Sequence, residues 1–424
     1  MTQPIVIASA DVRHVEAAAS AARSAGANAH VVVGAALPVA THSALARLGR
    51  SHLAVADQTY FRGPGLAKIG RRLSVVRKSR LRDSWWLRAE RAFDDHVTRL
   101  LQDGRLADTS TLGRHAVFHG FGGFAAGAQM VAHDLGYRIF NDAFELHPTA
   151  ERELERREVD FIGVSVPPVR AARAGIMARR LSALSSADLI VAGLPSVARS
   201  LSAHGVPEER IVVGRYGAPA WVTTQGDPST TNRQPTPGKP LRLLYVGQIH
   251  WYKGLQRLLA AIEMGRPNEV ELTICGATYP GPIAEALLAR IRRLDRHSPV
   301  RMLGTVGRGE LLHEFARCDA MVFPSVVGGV GLAVLEAAAF GVPLLLSEGE
   351  GIFTDGISTV ETGTEPDRIR EAIAWVIAHR SETVEMGHAA AKAVHSPGKT
   401  SHYADVLAQA YLNVSHSNHR KAFE

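Results

Sequence analysis

The sequence has only two cysteines, Cys275 and Cys318, in 424 residues. They form no disulfide framework and no paired metal-ligand motif, which excludes a small secreted scaffold and a zinc ribbon. Both lie in apolar stretches, as buried thiols of a reducing compartment do. No run of 18 or more apolar residues occurs, and MTQPIVIASA lacks the basic start and long apolar stretch of a secretory leader. A cytoplasmic location is expected. Two common phosphate-binding signatures are missing as well. The first strand of each half runs on as Ala8-Ser9-Ala10-Asp11 or Gly247-Gln248-Ile249-His250, not as G-x-G-x-x-G, and G-x-x-x-x-G-K-[ST] is found nowhere. An ordinary NAD or FAD site and a P-loop kinase or ATPase are therefore disfavoured. There is no internal repeat and no low-complexity tract.

What is present is the balance of a globular protein, 46% apolar and 21% charged residues. The chain is too long for one core and predicts two domains. Short apolar runs at 4–8, 29–33, 115–118, 137–140, 161–166 and 187–192 alternate with segments long enough for helices, the first over 12–25. A Pro-, Thr-, Gly- and Asn-rich stretch at 225–240 has no apolar periodicity and reads as a linker. Alternation then restarts with runs at 241–246, 271–275, 300–303, 320–323 and 343–347. Continuous apolar strands alternating with helices indicate parallel sheets covered on both faces. The expected class is α/β with two doubly wound lobes, residues 1–222 and 241–399, joined by 223–240.

The formal charge is +7, and much of it is local. Between Lys68 and Arg91 nine basic residues face only Asp83 and Glu90, with Ile69, Leu73, Val75, Val76, Leu81, Trp85, Trp86 and Leu87 among them. Such a pattern suits a helix on an anionic membrane surface, and equally a basic element on a soluble one.

Three segments carry candidate chemistry. In Phe323-Pro324-Ser325-Val326-Val327-Gly328-Gly329-Val330-Gly331-Leu332 a buried strand ends in a three-glycine loop that enters a helix. Glycines let backbone approach a ligand, and a helix start offers unpaired N–H groups and partial positive charge, so this is an anion site. Glu336, four residues after Leu332, lies on the same helix face and can reach hydroxyls beside a phosphate, as a ribose presents them. The alternative is a turn built only for packing, with Glu336 in solvent. Lys253-Gly254 puts a flexible cation at the carboxyl end of another strand, where open α/β sheets bind ligands; the alternative is a solvated loop lysine. His119-Gly120-Phe121-Gly122-Gly123 follows the 115–118 strand and is expected to face the same cleft, the alternative being a loop histidine with turn glycines.

The blocks 245–254, Ile274-Cys275-Gly276, Leu303-Gly304-Thr305-Val306, 318–325 and 329–343 resemble, in order and spacing, the large retaining glycosyltransferase family of the GT-B fold that contains sucrose synthases and bacterial polysaccharide enzymes. A weaker match, 187–191 with 205–207 and 210–213, extends into the first half. The resemblance implies two Rossmann-like domains facing a cleft, with residues 400–424 completing the first. It implies a nucleotide-diphosphate sugar as co-substrate, with no metal and no resident cofactor. Lys253 and the backbone of Val330, Gly331 and Leu332 would contact the diphosphate, and Glu336 the ribose. Gly276, Thr305 and Val306 would lie near the nucleobase, with Gly247, Gln248, Gly328 and Gly329 completing the donor site. Lys253, Glu336 and His119 are the candidate catalytic residues, and Asp142 is a further candidate in the first lobe. Two positions depart from the family pattern: Gln248 stands where an arginine is usual, and Gly328 where a glutamate contacts the transferred sugar. The acceptor would be a glycan, a lipid-linked sugar or a small molecule, and residues 68–91 would bring the enzyme to the inner membrane face. A catalytically weak nucleotide-binding partner is the nearest rival reading. A basic nucleic-acid-binding protein is the other, with steep salt dependence as its signature.

Overall fold

Apolar runs of four to six residues can bury both faces in the middle of a covered sheet, and most of those in this chain are used there. The computed structural model describes residues 3–9, 15–33, 82–106, 116–165, 169, 171–215, 238–278, 280–327, 332–347, 359–395 and 402–416. Expectations that fall on residues 68–81, on 223–237 and on Gly328 to Gly331 lie outside the described residues.

The first half contains β1 (Pro4–Ser9), α1 (Val15–Ser24), β2 (Asn28–Val33), α2 (Arg82–Gln102), β3 (Val117–Phe121), α3 (Ala126–Asp134), β4 (Arg138–Ala143), α4 (Pro148–Ile162), α5 (Ala171–Ser186), β5 (Leu189–Ala192), α6 (Pro195–Ser202) and β6 (Ile211–Val213). The second contains β7 (Leu241–Val246), α7 (Leu255–Glu263), β8 (Val270–Cys275), α8 (Pro282–Leu294), β9 (Val300–Gly304), α9 (Arg308–Arg317), β10 (Ala320–Phe323), α10 (Leu332–Ala339), β11 (Leu344–Leu346), β12 (Val360–Glu361), α11 (Pro366–Ala378), α12 (Arg380–His395) and α13 (His402–His416). Proline opens α4, α6, α8 and α11, where its missing N–H costs nothing.

Two six-stranded sheets result, ordered β2-β1-β3-β4-β5-β6 and β12-β11-β10-β7-β8-β9. Every pairing is parallel. Side chains alternate across the second sheet: Leu243 and Tyr245 enter one core cluster and Leu244 the other. The last helix, α13, packs into the first half's core through Tyr403, Leu407 and Tyr411 and lies against α1.

Two expectations are corrected. Residues 161–165 are not a strand: Phe161 and Ile162 finish α4, which stops at Gly163 in the left-handed region at φ 78°, and Val166 lies outside the described residues. Their apolar run faces the second lobe, where Ile162 and Val164 pack around Val159, Trp251 and Val326. In the basic stretch, Trp86 and Leu87 lie on the inward face of α2, Trp86 against Phe124 and Leu87 buried. Those two residues belong to the protein core and not to a membrane-facing surface, whereas Arg88 and Arg91 are exposed.

Candidate functional site

In the second sheet the strand order reverses between β7 and β10, and the carboxyl ends on either side of such a reversal open a crevice. The first wall steps across three strand ends. The Gly247 N–H bonds the Cys275 carbonyl at 2.9 Å, and the Gly276 N–H bonds the Gly304 carbonyl at 2.7 Å. A Cβ on Gly276 would stand 1.7 Å from the Gly247 oxygen, so this approach requires glycine. Thr305, exposed, and Val306, half-buried, continue from Gly304. Gly247, Gly276, Thr305 and Val306 therefore come together as one rim.

The second wall is a clamp. After β7 the 3-10 turn Trp251–Lys253 leads into α7 through Gly254, which sits at φ 70°. A side chain there would place its Cβ 1.7 Å from the Pro324 carbonyl. The Tyr252 carbonyl accepts from Val326 N–H at 3.1 Å and Val327 N–H at 3.3 Å, with the Ser325 hydroxyl also 3.1 Å away. The Ser347 hydroxyl in turn donates to the Ser325 carbonyl at 2.9 Å. Lys253 is thereby held at the end of β10, its Nζ 4.9 Å from the Phe323 ring centre and 5.4 Å from that of Tyr252. Gln248 turns its amide oxygen to the Tyr252 hydroxyl, and its carbonyl accepts from Tyr245 at 3.1 Å.

Leu332 begins α10, and Glu336 lies half-buried one turn in. Burial pushes its carboxyl above the usual carboxylate range, opposed by the positive charge of Arg308 at the start of α9. The crevice thus holds a cation, a helix start and a desolvated carboxylate.

In the first half, His119 is corrected from its expected place. It lies within β3, fully buried, with Nδ1 2.6 Å from the Tyr411 hydroxyl and Nε2 3.2 Å from Asp142. Its ring stacks on Phe121 at 4.9 Å. Asp142 is buried too and accepts from the Tyr403 hydroxyl at 2.5 Å. Both are core residues that tie α13 to the first sheet, and neither opens onto the crevice.

Residues 228–393 match the family Glycosyl transferases group 1. That match spans the second lobe and less than half of the chain. Among curated relatives, D-rhamnosyltransferase WbpZ of Pseudomonas aeruginosa is 33% identical over 156 residues, 35% of this chain and 39% of that protein. Glycogen synthase of Mycobacterium tuberculosis is 36% identical over 122 residues, 28% of each chain. The matched stretches thus span well under two thirds of these relatives. Anabaena HepE, solved in complex with UDP and glucose, aligns along 98% of this chain and 100% of its own, with a TM-score of 0.57 at 14% identity. That likeness shows the fold: the chain is GT-B, two Rossmann-like domains.

In the second lobe, sequence reasoning missed Tyr252, Ser325 and Arg308. Only Arg308 left a signal, a cation two residues beyond Val306. The roles of Tyr252 and Ser325 depend on the turn and the loop meeting across 73 residues of chain.

Proposed function

We propose that this protein transfers a glycosyl residue from a nucleotide-diphosphate sugar to an acceptor, with retention at the anomeric carbon. The clamp that fixes Lys253 at the carboxyl end of β10 is the observation that carries this reading. A departing diphosphate develops charge that a preorganised cation and helix-start N–H groups stabilise well in a dry crevice. Lys253 supplies the cation, and the backbone from Val330 to Leu332 the N–H groups. Glu336 accepts from the ribose hydroxyls, while the Gly247, Gly276, Thr305 and Val306 rim takes the base. The diphosphate itself helps to remove the acceptor proton, so the reading calls on no nucleophile of the protein. WbpZ, by its name, moves a rhamnosyl group, and HepE is seen with UDP and glucose, which supports a nucleotide-sugar donor. The acceptor is a surface glycan, a glycolipid or a small molecule. Among the described residues no helix is long and apolar enough to cross a membrane, and any approach to an anionic surface falls to the basic residues of 68–91.

A second reading rests on Gln248, whose side chain is engaged by Tyr252 where the family carries a phosphate-binding arginine. It makes the protein a nucleotide-binding partner with little catalysis. Release of nucleoside diphosphate from a panel of nucleotide sugars separates the two. Acceptor-dependent release supports transfer, and binding without any turnover supports the partner reading.

A further inference from the structure

Glu158 belongs to the first half of the chain, yet its partners Gln256 and Arg257 lie on α7, directly after the turn that carries Lys253. It is fully buried near the end of α4. Arg257 grips its carboxylate with two bonds, from Nε at 2.9 Å and Nη2 at 3.1 Å, and Arg157 adds Nε at 3.2 Å. Gln256 donates Nε2 both to Glu158 at 2.9 Å and to the Trp251 carbonyl at 2.7 Å. One amide therefore ties the first-lobe carboxylate to the backbone of the Trp251–Lys253 turn. Arg257 is completed by Glu365 at 2.7 Å and by the Phe161 ring 3.9 Å away. Beneath them Trp251 packs between Val159 and Val326.

A buried carboxylate and guanidinium are costly unless paired and fully hydrogen-bonded. Burial pushes the Glu158 carboxyl up, but the hydrogen bonds of Arg257 and Gln256 and the charge of Arg257 hold it below its ordinary value. Val159, Ile162 and Trp251 already supply apolar contact between the lobes. What the ionic network adds is direction, since its bonds are satisfied in one geometry only.

We propose that Glu158 is a positioning residue for the donor site: through Gln256 and Arg257 it fixes the Trp251–Gly254 turn and so sets where Lys253 meets the diphosphate. The inference rests on the reading of Lys253 as the diphosphate contact. On this account the cation site of the glycosyl transferase lobe is assembled by a helix of the other lobe.

The test is a set of calorimetric titrations with UDP, GDP and ADP, and with the nucleoside of whichever binds best, on the full-length protein. Glu158→Gln is expected to weaken the diphosphate roughly tenfold, while the nucleoside changes by less than about twofold. In a Lys253→Ala background Glu158→Gln should add no further loss, because its effect runs through Lys253. Equal losses for diphosphate and nucleoside, or additive losses in the double variant, overturn the inference in favour of a merely structural role. If Glu158→Gln does not fold, Glu158→Met with Arg257→Met removes both charges together, and the same pattern is expected. If the unaltered protein binds none of the three diphosphates, the Lys253 reading fails and the inference falls with it. If it binds one and Glu158→Gln binds as tightly, only the inference falls.

Discussion

Glu90 on α2 carries its surroundings into the pH dependence of stability. Burial pushes its carboxyl from 4.5 to about 7, against the charge of Arg179 and a hydrogen bond from Trp86, with Glu145 adding to the rise. Between those two pH values the native state holds a proton that the unfolded chain has released, so stability falls as pH rises through the window. Glu90→Gln should remove that fall; denaturant unfolding of both proteins from pH 4 to pH 8 checks it. Glu336 is shifted in the same direction, but its effect on binding runs the other way with pH. Its carboxyl is raised by burial, with Arg308 opposing, and the ionised form accepts the ribose hydroxyls more strongly and with both oxygens. Nucleotide affinity should therefore rise with pH through the titration of Glu336 and be flat there in Glu336→Gln, as calorimetry across pH will show. The candidate roles of Glu336 and Lys253 were legible because strand, glycine and helix signals are local. His119 was misjudged for the same reason: the glycines after it mimic a loop, but the strand runs on to Phe121. The hydroxyl that takes its ring comes from Tyr411, 292 residues away.

At the scale of elements, the clamp depends on the junction between the Trp251–Lys253 turn and α7. Gly254 there combines φ 70° with a Cβ position 1.7 Å from the Pro324 carbonyl. Gly254→Ala must strain the backbone and push apart two chain segments, so a loss of about 2 kcal/mol or more is expected from thermal unfolding. It should also weaken nucleotide binding, because Lys253 rides on the same turn. The alternation of strands and helices in both halves could be read directly from apolar runs bounded by Gly, Pro and polar residues. The exception is instructive. A six-residue apolar run suits a buried strand or the end of a packed helix equally, and at Phe161 and Ile162 it is the latter, with Ile162 and Val164 packed against Trp251 and Val326 across the lobe boundary. Nothing within the run reveals that partner.

For the whole molecule, the chain's return to its first lobe is a matter of packing. Tyr411 is fully buried on α13, bonded to His119 and stacked on Phe140 at 5.5 Å. Tyr411→Ala should cost about 3–5 kcal/mol, measured by chemical unfolding, with loss of α13 docking. The contacts between lobes that matter most, Glu158 with Arg257 and Gln256, were not legible, since nearly a hundred residues separate partners that carry no motif. If the crevice between β7 and β10 binds a nucleoside diphosphate through Lys253 and Glu336, loss of either side chain must weaken that binding. Calorimetric titration of UDP, GDP and ADP into the unaltered protein, Lys253→Ala and Glu336→Gln tests it most directly. At least one diphosphate is expected to bind the unaltered protein, and each variant to lose roughly 10- to 100-fold in affinity, the worth of a charged hydrogen bond. Equal affinity in all three proteins, or no binding to any, would contradict it.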